Sequence, residues 1–586
     1  MPRSSSSQNV TKAVVLVETT AKDVSATEPY RVLSRSKGCG TAFRVRRDLF
    51  PAADWNCADN QLYLTNYHVI EGAEDRRVRV RVASSPEYTN GTVVHCVPAL
   101  DFALIAVNMN EDLEEDVLDP FCSAPSSVLA DVLPVELHVG EVIPSAQQVL
   151  ACGFPMGYLE QFISRGTLAG RQSCGDATTD FFSCDLSLNS GNSGGPVVFD
   201  GGPCDGQCFA ISTATEGGDA IQISYAVPIS VVLQWLANYY TGQVLGVFPR
   251  WSFGLCSRTD AFDDEHHFPN TLDGAIVCDI TKGCKYDIRK GDVLVSINRG
   301  GVINKLDRFG LLTDVYHGDP KFSYINRGWI AGCSPKSTSV TVWRPSLKSL
   351  RTFPCAPEPP LKTEVIRHAE FNPPHYALFG SCVFIDATAD FLGAGTEEDS
   401  DYEDDGIPPA MAFHVLRKIH DDKSKMVTVL SHFHCNSYVS STRTLRRGDI
   451  ICKLGRTEIK DSRHAEKVIQ KIAAQYAQGV RKRIKVTTSD AEVWLDLDSL
   501  LQEERLVAGE RGDTSKLFLL KSYDESQNTP NTALVHRKRK MRKPLSPSAL
   551  VVAVNKMPNS RPGSPVQEKR RRRSSRLASI VNAAED

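Results

Sequence analysis

Across residues 37–240 the chain is a succession of short apolar runs punctuated by Gly, Pro and Asn. Leu62-Tyr63-Leu64, the run 78–82, the run 103–107 and Val197-Val198-Phe199 are rich in Val, Ile, Tyr and Phe, residues that fit a pleated, half-buried surface. Many short strands at such spacing point to an all-β barrel or sandwich. One stretch reads as helix, 231–240, where Val232, Leu233, Leu236 and Tyr239 share a face.

Downstream a pattern recurs. Arg289-Lys290-Gly291-Asp292-Val293-Leu294-Val295 is echoed by Arg446-Arg447-Gly448-Asp449-Ile450-Ile451-Cys452. Two basic residues, a Gly-Asp turn and a buried strand make a repeated small domain the expectation. Between the repeats, 396–406 is an acidic run, read as a solvated loop inserted into the second repeat. Beyond residue 524 the chain turns Ser-, Pro- and basic-rich, a composition that does not build a core.

At roughly 150 residues per domain, 586 residues suggest about four units. The net charge of −3 averages two unlike parts: 537–586 carries 14 Lys and Arg against three acids, leaving 53 basic and 67 acidic residues elsewhere. No run of 18 or more apolar residues occurs, so no membrane partner is expected. The N-terminus lacks an apolar signal core, although its Ser-rich start leaves an organelle transit peptide open. The 17 cysteines are scattered, with Cys152, Cys278 and Cys452 inside apolar runs, and read as reduced core thiols rather than metal ligands. Neither Cys204-x3-Cys208 nor His432-x-His434-Cys435 has a second matched pair at zinc spacing, so no metal or other cofactor is expected.

The most specific signal is Asn189-Ser190-Gly191-Asn192-Ser193-Gly194-Gly195-Pro196. A serine hydroxyl is a weak nucleophile and needs a base and donors for the oxyanion. The glycines let the backbone turn tightly and expose Oγ of Ser193, with amides of the Gly191, Asn192 and Ser193 segment as oxyanion candidates. His68, in Leu64-Thr65-Asn66-Tyr67-His68-Val69-Ile70, stands at the end of an apolar strand. Asp101 stands at the lip of Phe102-Ala103-Leu104-Ile105-Ala106-Val107, too apolar a setting to leave a charge unpaired, and a histidine Nδ1–H suits it. The order His68, Asp101, Ser193 assigns the proton carrier, its orienting carboxylate and the nucleophile.

These motifs resemble the trypsin-like serine peptidases and, more closely, the HtrA/Deg family. The marks are Gly38-Cys39-Gly40-Thr41-Ala42-Phe43, Thr65-Asn66-Tyr67-His68-Val69, Gly153-Phe154-Pro155, Gly166-Thr167-Leu168, Gly191-Asn192-Ser193-Gly194-Gly195-Pro196 and Ile223-Ser224-Tyr225-Ala226-Val227-Pro228. The resemblance implies a mainly β chain, a trypsin-like double β-barrel followed by two divergent PDZ-like α+β domains and a disordered basic tail. The expected division is an extension (1–30), the peptidase (31–241), PDZ-like domains (242–365 and 366–495), a further extension (496–524) and the tail (525–586).

It also implies an ATP-independent endopeptidase acting on unfolded or regulatory proteins, assembled as a trimer or a multiple of one. No Gly-x4-Gly-Lys-Ser/Thr loop opposes the independence from ATP. Asn192 stands where trypsin-like zymogens need an aspartate, so activation by propeptide cleavage is not expected. Ser187 occupies the place of a trypsin-like Asp. With Leu188, Ile211, Ser212 and Thr213 as further pocket candidates, small or medium aliphatic side chains are the expected preference. Phe253, Gly254 and Leu255, and later Phe379 and Gly380, stand where PDZ domains receive a terminal carboxylate.

The tail clusters Arg537-Lys538-Arg539-Lys540 and Lys569-Arg570-Arg571-Arg572-Arg573 suit acidic importin grooves, and with no interleaved aromatics any nucleic-acid contact is nonspecific. Nuclear localisation is the expectation, with plastid, mitochondrion or cytoplasm as alternatives; the two PDZ-like domains resemble those of plant and algal Deg proteases. Two other classes remain open: a chaperone or scaffold with latent catalysis, and a nuclear nucleic-acid-associated factor.

Overall fold

The computed structural model describes residues 6–50, 58–109, 126–139, 143, 146–173, 180–217, 222–240, 249, 251–281, 284–316, 319–323, 330–334, 336–358, 374–388, 391–392, 415, 426–433, 437–442, 445–511 and 515–528. The acidic run and both basic clusters lie outside them, as does the tail read as disordered apart from its first residues, 525–528, which are helical and so correct that boundary. All described residues belong to one compact unit, Met1–Asn528.

A short helix α1 (Ser6–Thr11) leads into β1 (Val14–Val24), β2 (Val32–Val45), β3 (Asn60–Thr65), β4 (Ala73–Arg81), β5 (Thr89–Val97) and β6 (Phe102–Asn108). These close into a barrel in the order β1-β2-β3-β6-β5-β4. A second barrel, β10-β11-β12-β9-β8-β7, is made of β7 (Gln148–Gly153), β8 (Phe162–Ser173), β9 (Asp180–Cys184), β10 (Pro196–Phe199), β11 (Cys208–Gly217) and β12 (Gln222–Pro228). Closure removes the sheet edges that open β-structures must protect. The one-turn helix α2 (Tyr67–Ile70) follows β3, and α3 (Ile229–Tyr239) leaves the second barrel.

The first barrel corrects one boundary. Its opening strand lies before residue 31, in a stretch read as an extension, and pairs from Val14↔Phe43 to Val24↔Val32. The physical reason is its double burial. Val14 and Leu16 pack with Phe43, Leu64 and Phe102, whereas Val15 and Val17 pack with Tyr63, Ala103 and Ile105. Each such buried aliphatic side chain contributes roughly 1.5–3 kcal/mol relative to exposure.

Two α+β units follow. The first has β13 (Phe253–Cys256), α4 (Asp260–His266), β14 (Ala275–Ile280), β15 (Val293–Arg299), β16 (Val302–Lys305), β17 (Leu312–Tyr316), β18 (Asp319–Ser323), β19 (Ser339–Arg344) and β20 (Ser349–Pro354). Its main sheet runs β13-β14-β15-β19-β20, with β16 on β15 and β17-β18 as a separate hairpin. The second has β21 (Tyr376–Phe379), β22 (Cys382–Asp386), β23 (Thr428–His432), α5 (Tyr438–Thr442), β24 (Ile451–Leu454), β25 (Thr457–Glu458), α6 (Ser462–Ala477), β26 (Arg483–Thr488) and β27 (Glu492–Asp496). Helices α7 (Leu497–Arg511) and α8 (Phe518–Asn528) complete it. Leu497, Leu500, Leu501 and Leu519 share one core with Leu454, Ala465 and Ile469, so 496–524 is part of this unit rather than an extension.

The repeated Gly-Asp motif folds the same way twice. Gly291 and Gly448 take φ of +89° and +88°, and Asp292 and Asp449 accept the amides of Arg289 and Arg446 at 2.9 and 2.8 Å. Each turn delivers a buried strand. Contacts that tie these units back to the barrels include Asn238 Nδ2 donating to Ala331 O at 3.0 Å, Tyr239 OH to Ile330 O at 3.3 Å, and Ser431 Oγ to Thr27 O, in the β1–β2 turn, at 2.7 Å.

Candidate active site

His68 sits on α2, one turn beyond β3, because Asn66 leaves the strand in an extended conformation and its side-chain Nδ2 then donates to Asp101 O at 2.9 Å. Asp101 ends a short turn opened by Pro98 and lies in the left-handed region, φ +50°, immediately before β6. That conformation turns its carboxylate onto His68. Nδ1 lies 3.0 and 2.9 Å from the two carboxylate oxygens, and the His68 amide donates to Oδ1 at 3.1 Å. Nδ1–H is therefore the donor, which leaves Nε2 as the free base. Thr213 Oγ1 donates to Asp101 Oδ2 from β11, so three donors converge on one carboxylate.

Burial alone would lower the His68 pKa. The hydrogen bond and charge of Asp101, with a smaller contribution from Glu71, outweigh it and hold the imidazolium pKa above 6.5.

Ser193 lies in a loop braced by backbone hydrogen bonds. Thr41 N donates to Ser193 O, and Gly194 N to Ser212 O, both at 2.8 Å; Ser212 N donates to Gly195 O at 2.9 Å. Gly194 has φ +87°, and a Cβ there would collide with Thr41 O. Gly191, φ +93°, is equally confined by Phe154 O and the Met156 amide. Thr41 Oγ1 closes the loop by donating to Gly191 O at 2.7 Å. Ser193 Oγ itself donates to Thr213 O at 3.0 Å, and no hydrogen bond joins it to His68 among the described residues.

Of the three amides considered for the oxyanion, that of Asn192 is already used, donating to Asn189 O at 3.0 Å. It drops out, and the amides of Gly191 and Ser193, which make no hydrogen bond among the described residues, remain. The pocket candidates also separate. Ile211 is fully buried in the core and Leu188 packs among Leu186, Val197 and Phe209. Ser212 is tied to Gly195, and Thr213 to Asp101. Ser187 is exposed, with its carbonyl accepting Ser164 Oγ at 2.5 Å. Ile211 thus does not wall a pocket, because its strand turns that side chain into the core.

The two candidate carboxylate loops differ as well. Phe253, Gly254 and Leu255 lie in β13, the edge strand of its sheet, where Gly254 pairs with Asp279. Phe379 and Gly380 form the β21–β22 turn, and its amides are already occupied. Gly380 N donates to Glu504 Oε1 at 3.4 Å and Ser381 N to Glu503 Oε2 at 3.0 Å. Carboxylates of the chain's own α7 fill that loop, which corrects its reading as an open receptor. Sequence reasoning also missed Thr213 as the partner of Asp101. A hydroxyl residue two strands from the serine loop was the available signal.

Two barrels with a histidine–aspartate pair on one and a glycine-braced serine on the other have the architecture of a trypsin-like peptidase domain. The family model for the trypsin-like peptidase domain matches residues 40–204. Serine protease HTR4 of Rattus norvegicus is 27% identical over 270 residues, 43% of this chain and 49% of that protein. A probable periplasmic serine endoprotease, DegP-like, of Hahella chejuensis is 29% identical over 288 residues, 46% of this chain and 51% of that protein. The chain thus spans about half the length of the curated relatives it matches. Among solved structures, the HtrA-type protease AlgW with tripeptide covers 61% of this chain and 98% of its own at 19% identity and a TM-score of 0.40. The peptidase part of this chain is thus similar to HtrA- and DegP-type serine proteases.

Proposed function

We propose that this protein is an ATP-independent serine endopeptidase that degrades unfolded or damaged proteins, with His68 as proton carrier, Asp101 as its orienting group and Ser193 as nucleophile. The observation that carries the reading is the fixed His68 tautomer. With Nδ1–H held by Asp101, Nε2 is left to take the Ser193 proton and return it to the leaving amine. Gly191 and Ser193 amides then face the oxyanion. The two α+β units, read as PDZ-like, regulate access, the first through the side of β13 that no strand pairs among the described residues.

The test is labelling with a fluorophosphonate, mapped by mass spectrometry, beside digestion of unfolded casein without ATP. Labelling at Ser193 together with digestion is expected. An unlabelled, inert protein under several buffer conditions sinks the enzymatic reading. One observation favours a second reading, a holdase with latent catalysis: Ser193 Oγ rests on Thr213 O rather than on the histidine. Suppression of client aggregation by a protein that never labels would support it.

The basic clusters at 537–540 and 569–573 support nuclear import through an importin. A fluorescent fusion lacking 537–586 is expected to lose nuclear accumulation; unchanged distribution counts against that assignment.

A further inference from the structure

Arg81, at the end of β4, is only 3% exposed, yet no carboxylate pairs with it among the described residues. A buried cation is costly unless its donors are satisfied. Here backbone carbonyls do so. Nη1 donates to Ser85 O at 3.0 Å and Leu159 O at 3.2 Å, and Nη2 donates to Tyr158 O at 2.9 Å. The guanidinium also lies 5.7 Å from the ring centroids of Tyr88 and Phe154. A residue of the first barrel thus grips the main chain of a turn in the second.

The start of that turn is anchored by buried Phe154 and Pro155, but its far half is not. Met156, Tyr158 and Leu159 are 66%, 52% and 49% exposed, so side-chain burial does not fix that half. Met156 sits at φ +56°, a conformation uncommon for a residue with a side chain. The neighbouring Ser84 adds two bonds from the same barrel, its amide to Leu159 O at 3.2 Å and Oγ to Glu160 Oε1 at 2.7 Å.

The turn in turn holds the nucleophile loop. The Met156 amide donates to Ser190 O at 2.6 Å. Ser190 C=O and Gly191 N–H belong to one planar trans peptide, so they point in opposite directions. With the carbonyl pulled onto Met156, the Gly191 N–H is turned the other way, out of the turn.

We propose that Arg81 is a positioning residue for the oxyanion hole, acting through the carbonyls of Tyr158 and Leu159 and the Met156 amide to set the Ser190–Gly191 peptide. The proposal rests on the serine peptidase reading above. It makes the first barrel, which holds His68 and Asp101, also responsible for the oxyanion donor of the second.

The test compares Arg81→Met, which keeps the stem and removes the fork, with Arg81→Lys, which keeps the charge but not the paired donors. Loss of one oxyanion donor lowers kcat by about 10²–10³. A mis-set donor is expected to lower kcat per titrated site about tenfold or more in Arg81→Met, with KM within about twofold and a smaller loss in Arg81→Lys. The acid limb of the pH profile should not move, because His68 and Asp101 are untouched. A merely structural role reduces the number of titratable sites and leaves the rate per site alone. Per-site rates of both variants within about twofold of wild type overturn the proposal. A wild type that never labels fails earlier, at the peptidase reading, so the two failures are distinguishable.

Discussion

Replacing Asp101 with Asn is expected to lower kcat by about 10⁴ while leaving KM and the fold near wild type. Asparagine tolerates the left-handed backbone that Asp101 adopts, so the turn before β6 survives. The electrostatics do not. Three donors meet at this carboxylate, the His68 amide, His68 Nδ1 and Thr213 Oγ1. An amide offers one acceptor oxygen and sets an NH2 group against the remaining donors. The histidine relieves that clash by carrying its proton on Nε2, where the serine requires a lone pair. The pH profile should report the same change. Asp101 is what raises the imidazolium pKa against the effect of burial, so activity in the wild type falls as pH drops through a pKa above 6.5. Without Asp101 that limb moves to lower pH. Single-turnover kinetics against pH on both proteins check the prediction, and a loss below about tenfold excludes Asp101 from the role assigned to it.

Much of this site was legible because its chemistry is written in short contiguous segments. The glycines around Ser193 imply a tight loop, and Asp101 at the mouth of an apolar strand implies a partner. The Gly-Asp turns were legible for the same reason: the positive φ at Gly291 and Gly448 and the Asp side chain closing back on the backbone involve four adjacent residues. What escaped depends on contacts between distant segments. Thr213 meets Asp101 across 112 residues, and nothing local marks its hydroxyl. Arg79 and Arg81 alternate with buried valines, and nothing local tells them apart; Arg79 pairs with Glu18 on β1, whereas the turn at 158–159 closes over Arg81. The strand β1 escaped because an apolar run buried on both faces has no alternation to announce it.

Glu503-Glu504 is the sharpest instance, since adjacent acids in a helix read as a solvated face. Both are buried, and they satisfy amides at the β21–β22 turn, α5 and the start of α8. Burial raises the Glu504 pKa most, and the neighbouring Glu503 charge adds to it; amides of Leu520, Gly380 and Leu519 pull the other way. The balance lifts Glu504 from 4.5 to about 7. A carboxyl whose folded pKa is raised contributes stability that is complete below pH 4.5 and lost as pH rises through about 7. At roughly 1.4 kcal/mol per pKa unit, Glu504 alone accounts for a loss of about 3 kcal/mol across that window. Glu504→Gln is expected to remove this slope. Its single acceptor oxygen cannot serve both Gly380 N and Leu520 N, so the variant should be less stable than wild type at pH 5. The gap should then close as pH rises to 8, where the wild type carries a buried charge and the variant does not. Unfolding midpoints of the two proteins from pH 5 to pH 8 decide it. A difference constant with pH would mean that Glu504 is ionised throughout, and that the filled loop is held by an ordinary carboxylate rather than by a proton-sensitive one.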